Sequence, residues 1–196
     1  MLTLAKHNRR NLVNQARAFS CKATILYDII ITKRGVVMER AIDVAQYIYE
    51  EYKRVAHETI DNLKLQKLLY FAQRESIAII NAPLFNDTLE GWRYGPVCRD
   101  VWGAFSPCGV SGGNSDISHE AKYIINNIVQ EYGALESWKL SELSHNETSW
   151  KNARRGLEGV ENGDAPLKLS DIREDARKVR PYDHIWDMYY DEFEDA

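Results

Sequence analysis

Cysteine is scarce: Cys21, Cys98 and Cys108 are the three in 196 residues. They stand at no metal-ligand spacing, and an odd, scattered set argues for reduced thiols and a cytoplasmic home, not a disulfide scaffold. Long apolar runs are also missing. A membrane span needs roughly 18–20 apolar residues, whereas the best candidate, Ala23 to Val37, is broken by Asp28, Lys33, Arg34 and Gly35. The chain has no Gly-rich phosphate loop, no zinc-type motif and no internal repeat. No cofactor, bound metal or membrane partner is therefore expected.

Acidic residues are nearly absent from one end and basic residues from the other. Before Met38 the seven basic residues Lys6, Arg9, Arg10, Arg17, Lys22, Lys33 and Arg34 face a single acid, Asp28. That leader carries +6, so the remaining residues carry −10 of the chain's net −4. After Arg180 there is no Lys or Arg at all. Phosphate binding needs clustered Lys and Arg, so an acidic body argues against nucleic acid as the main partner. A basic protein partner fits it better. The composition break sets residues 1–37 apart as a basic leader outside the domain. Met38-Glu39-Arg40-Ala41 opens directly into an amphipathic pattern, and this reading takes Met38 as the natural start. Residues 181–196 read as an acidic terminal helix or tail, with Asp183 as a cap.

What is present between them is helical periodicity. Ile42, Ala45, Ile48, Tyr49 and Tyr52 recur at helical spacing over 39–53. Asp61 or Asn62 can cap a second helix. In that helix Leu65, Leu68, Leu69, Phe71 and Ala72 form a broad apolar face, so it should be central to the fold. Lys64 and Lys67 read as a solvated face or as partners of an ion pair with the acidic body. Gln66, if buried, must satisfy its amide and would pin neighbouring backbone. Residues 84–92 can hold a short strand, Gly95 permits a tight turn, and Pro96 suits the first position of a helix. A stripe of Ala121, Ile124, Ile125, Ile128 and Val129 predicts a helix over 118–132, stopped by Gly133. Shorter helices are expected over 137–143, from a Ser149 cap to about 155, and over 170–178. The predicted fold is mainly α, a compact single-domain multi-helix body with at most a short β-hairpin near residues 84–94.

Four segments, in this order, carry a resemblance. They are Ala41-Ile42-Asp43-Val44-Ala45-Gln46-Tyr47-Ile48, then Asn62-Leu63-Lys64-Leu65-Gln66-Lys67-Leu68-Leu69-Tyr70-Phe71-Ala72, then Gly91-Trp92-Arg93-Tyr94-Gly95-Pro96-Val97. Leu143-Ser144-His145-Asn146-Glu147-Thr148-Ser149-Trp150-Lys151-Asn152-Ala153-Arg154 completes the set. Together, over roughly residues 38–178, the sequence resembles the Panacea domain of SocA-like antitoxins, also seen as GepA-type phage-associated proteins. It departs from that pattern at Ser144, where Thr is usual, at Gly91, where Ala is usual, and at Ser149, where Pro is common. The resemblance implies a mainly helical domain that neutralises a cognate protein toxin by direct binding, without chemistry of its own. It also implies an alternative, an adaptor that hands a toxin to a ClpXP-type protease.

The candidate partner-binding residues are Trp92, Tyr94, Pro96, His145, Glu147, Trp150 and Arg154. Aromatic residues dominate interface energetics, so Trp92, Tyr94 and Pro96 around a turn can form an anchor. The plainer reading puts Trp92 in the core. His145 and Glu147 raise the thought of acid–base chemistry in a small enzyme. With no nucleophile beside them, they are better read as fixing a helix junction, Glu147 by accepting backbone N–H groups. Arg154 and Arg155 are expected to pair with Glu147 or Glu158.

Overall fold

The computed structural model describes residues 38–157 and 163–179. The basic leader, Glu158, Asp183 and the acidic terminus lie outside the described residues. Seven helices are described: α1 (Ala41–Ala56), α2 (Asn62–Ile80), α3 (Arg99–Ala104), α4 (His119–Tyr132), α5 (Ser137–His145), α6 (Thr148–Ala153) and α7 (Leu169–Ala176). Two small antiparallel pairs accompany them: β1 (Leu89–Trp92) with β2 (Gly95–Cys98), and β3 (Phe105–Ser106) with β4 (Gly109–Val110). The fold is mainly α, as the periodicity predicts. The first pair is the expected hairpin, and the second is an addition.

Helix α1 buries Ala41, Val44, Ala45, Ile48, Tyr49 and Tyr52 along one stripe, and α4 buries the five residues its periodicity marks. Both pack against α2. Asp61 caps α2 by accepting from the Lys64 N–H at 2.9 Å. Every residue of α2 from Lys64 to Ile77 is buried. Its apolar members, among them Leu65, Leu68, Leu69 and Phe71, each contribute about 1.5–3 kcal/mol by leaving water. The helix is buried all round because α1, α4, α5, α7 and β2 all touch it.

That enclosure overturns the solvated-face reading of Lys64 and Lys67. Both are buried, and each ammonium reaches an oxygen inside the protein: Lys64 Nζ donates to the Tyr52 hydroxyl at 3.0 Å, Lys67 Nζ to the Pro96 carbonyl at 2.8 Å. Gln66 is buried and accepts from the Cys98 N–H at 2.8 Å, so it does pin backbone. Gln73 does the same one side further along, accepting from Leu84 and Phe85 N–H and donating to the Phe85 carbonyl.

Pro96 does not open a helix. It lies in β2, paired with Gly91, and α3 begins three residues later at Arg99. Ser149 is likewise no cap. It sits inside α6, where its hydroxyl meets the Tyr70 hydroxyl at 2.9 Å. Residues 165–167 run beside β1, with Gly91 N–H donating to Ala165 and Leu167 N–H to Leu89. No helix among the described residues is long and apolar enough to cross a membrane.

Candidate partner-binding site at the hairpin tip

β1 and β2 are joined by the two-residue loop Arg93-Tyr94, with Trp92 opposite Gly95. Gly95 takes a φ of +104°, a backbone region other residues rarely adopt. A Cβ there would also stand 2.4 Å from Ser144 Oγ and 2.6 Å from Lys67 Cε, so the turn requires glycine twice over.

Side chains from three helices hold this hairpin by its carbonyls. Arg154 of the α6 end donates to the Gly91 carbonyl at 3.1 Å, and Trp150 Nε1 of α6 to the Trp92 carbonyl at 2.8 Å. Ser141 Oγ of α5 donates to the Tyr94 carbonyl at 3.0 Å, and Lys67 of α2 to Pro96. Such bonds are worth about 0.5–1.5 kcal/mol each, more from charged donors. The backbone is therefore fixed, and what the tip presents outward is side chains. Tyr94 is 57% exposed, with the Arg93 guanidinium 5.1 Å from its ring centroid.

Six of the seven candidate residues meet here. Trp92 is half-buried and is no core plug: its indole N–H donates to Glu90 at 2.7 Å, and its ring lies 5.4 Å from Trp102. Pro96 and Arg154 are buried and act by holding the hairpin. His145 stacks on Trp150, centroids 4.0 Å apart and planes 14° from parallel. Its Nε2 is buried without a hydrogen-bond partner among the described residues. Burial lowers the His145 pKa, and the charges of Lys67 and Arg154 lower it further, against a backbone hydrogen bond with Arg93.

Glu147 is the seventh, and the structure takes it elsewhere. It pairs with Arg74 of α2, which also donates to Glu75 at 2.8 Å and to the Tyr132 hydroxyl at 3.1 Å. Burial opposes the Arg74 charge, but Glu147, Tyr132 and Glu75 outweigh it and raise its pKa. The expected pairing of Glu147 with Arg154 is thus replaced by a buried one.

The backbone N–H groups at the start of α6 go instead to Asp175 of α7, from Thr148 at 2.7 Å and Ser149 at 2.8 Å. Burial pushes the Asp175 carboxyl up, yet the Ser149 N–H and hydroxyl, the Lys178 ammonium and the Thr148 N–H hold it down to about 2. Asp175 does the capping expected of Glu147. With Glu147 tied to Arg74 and His145 stacked on Trp150, the pair is not arranged as an acid–base couple. No group of three His, Cys, Asp or Glu among the described residues is placed to hold a metal ion.

Lys67 and Ser141 complete the site, Tyr70, Arg74 and Asp175 hold the residues at the α5–α6 junction, and none of the five was among the candidates. Lys67 carried a signal, a charge in the middle of the apolar run Leu65 to Ala72. The others meet partners far away in sequence, and nothing local announces them.

The elements that hold the hairpin, from α2 to α6, fall in one stretch of chain. Residues 65–151 match the family described as antitoxin SocA-like, Panacea domain. Over 72 residues it is 39% identical to Antitoxin SocA of Caulobacter vibrioides (strain NA1000 / CB15N), covering 37% of this chain and 32% of that protein. The match therefore spans about a third of the relative's length. No solved structure matches.

Proposed function

We propose that this protein is an antitoxin that neutralises a cognate protein toxin by direct, stoichiometric binding, and that it has no enzymatic activity of its own. The observation that carries this reading is where the family match falls. Residues 65–151 contain most of α2, the hairpin, α5 and most of α6, and so every residue that clasps the hairpin carbonyls except Arg154. What is alike between this chain and an antitoxin is therefore the part that fixes an aromatic tip in place, and that is a feature of recognition. A fixed tip with exposed aromatic and Arg side chains binds without a large ordering cost. The side chains that suggested chemistry, His145 and Glu147, have structural partners instead.

The test is co-expression with the product of the adjacent reading frame. That product alone should arrest growth, and the full chain should restore growth and copurify with it. A harmless neighbour and no complex would remove the basis of the reading.

A further inference from the structure

The outward surface around the tip is aromatic, and each of three rings carries a cation. Arg93 lies over Tyr94, Arg99 over Trp92 at 5.5 Å, and Lys139 over Trp138 at 5.7 Å. Trp138 is 66% exposed and stands one turn before Ser141 on α5, and Ser141 holds the Tyr94 carbonyl. Residues three apart on a helix share a face, so Trp138 flanks the tip. On its other side Trp102, 38% exposed, packs on Trp92. Tyr94 and Trp138 leave water only when something covers them.

The charges of this surface are unequal. Arg99 is held by Glu90 and Lys139 by Glu142, both at 2.8 Å. Arg93 has no carboxylate within 4.0 Å among the described residues. Glu90 and Glu142 are thus already engaged, whereas the Arg93 guanidinium at the tip is not.

We infer that the hairpin tip, Arg93 and Tyr94 flanked by Trp138, is a docking surface for an acidic peptide segment of a protein partner. A carboxylate of that segment pairs with the Arg93 guanidinium, which suits two parallel hydrogen bonds. Its apolar atoms cover Tyr94 and Trp138. This reverses the expectation of a basic partner that the overall charge suggests, because the local field and not the net charge decides what the tip attracts. The inference deepens the binding reading above and rests on it, but the surface can be probed without any toxin.

The probe is a phage-displayed dodecapeptide library panned against the immobilised full chain. Enriched peptides should carry Asp or Glu beside apolar residues. Arg93→Glu should weaken their binding by at least about tenfold, the scale of a lost charge-assisted hydrogen bond. Arg93→Lys should retain most of it, Tyr94→Ala should lose it, and Tyr123→Ala on α4, exposed at 50%, should leave it unchanged. All three side chains lie at the surface or partly so, and melting curves confirm that the variants fold. No enrichment, enriched basic peptides, or peptides indifferent to Arg93 and Tyr94 would overturn the inference. So would a dimer in sedimentation that Tyr94→Ala dissolves, which would assign the surface to a second copy. Peptide binding without growth rescue would sink the antitoxin reading and leave the surface standing; growth rescue indifferent to Arg93→Glu and Tyr94→Ala would do the reverse.

Discussion

Lys67 crosses the core of the domain and ends on the Pro96 carbonyl. Burial alone lowers its pKa, to about 7. An unfolded Lys keeps the ordinary value of 10.5. Between those two values the unfolded chain binds the extra proton, so stability rises with pH across that window. Below about pH 7 both states are protonated and the contribution stops changing. The slope is at most about 1.4 kcal/mol per pH unit. Tyr52, Tyr70 and Tyr132, all raised above 10.0 by burial, act with the opposite sign, but only from their unfolded value upward. Chemical unfolding at about pH 7.5 and about pH 8.5 should therefore show the protein more stable at the higher pH, and Lys67→Met should flatten the difference. An equal slope in both proteins would contradict the assignment. Asp175 has a dependence of the same sign in an acidic window. Its stabilisation is present above its unfolded value of 3.8 and is lost as pH falls toward 2. Asp175→Ala leaves the first N–H groups of α6 and the Lys178 ammonium without their acceptor. It should cost about 2–4 kcal/mol in denaturant unfolding, whereas Lys178→Ala, at the surface, should cost under about 1 kcal/mol.

Among the elements, the β1–β2 hairpin is the one most constrained from outside itself. Gly95→Ala adds a Cβ to a positive-φ residue and drives it into Ser144 and Lys67. Backbone strain and overpacking each contribute about 1–3 kcal/mol, so thermal melting should show a loss of several degrees or more. Gly91→Ala meets only Ala153 Cβ closely, at 2.8 Å, and needs α6 to shift. It should be the milder of the two in the same melts. The hairpin also marks how far the sequence could be read. Helices α1 and α4 have one buried stripe each, and that period is plain in the residues. Helix α2 is buried on every side, so its polar residues look like a solvent face until their partners are known. Pro96 suits both a helix start and a short strand, and only the pairing with Gly91 separates the two. The β3–β4 pair is two residues per strand, too short for any alternation. The clasp itself rests on contacts such as Gly91 with Arg154 and Tyr94 with Ser141. Residue types named six of its members, but which of them face outward came from tertiary packing.

The molecule as a whole combines a helical core built around α2 with one rigid, outward-facing aromatic tip. The stretch that matches the SocA-like Panacea family, residues 65–151, holds most of α2 together with the hairpin and its tip, while α1 and α7 lie outside it. Lys67 and Gln66 serve helix and hairpin alike, since each is a core residue whose polar end fixes the hairpin. An antitoxin that works by covering its target is consumed one for one; an enzyme that inactivates the target turns over. The decisive measurement titrates the purified full chain into a fixed amount of the adjacent gene's product and follows that product's toxic activity. Direct binding predicts that the residual activity falls linearly to an end point at a fixed molar ratio and does not drift with incubation time. Complete inactivation by a small fraction of an equivalent, progressing with time, would contradict it.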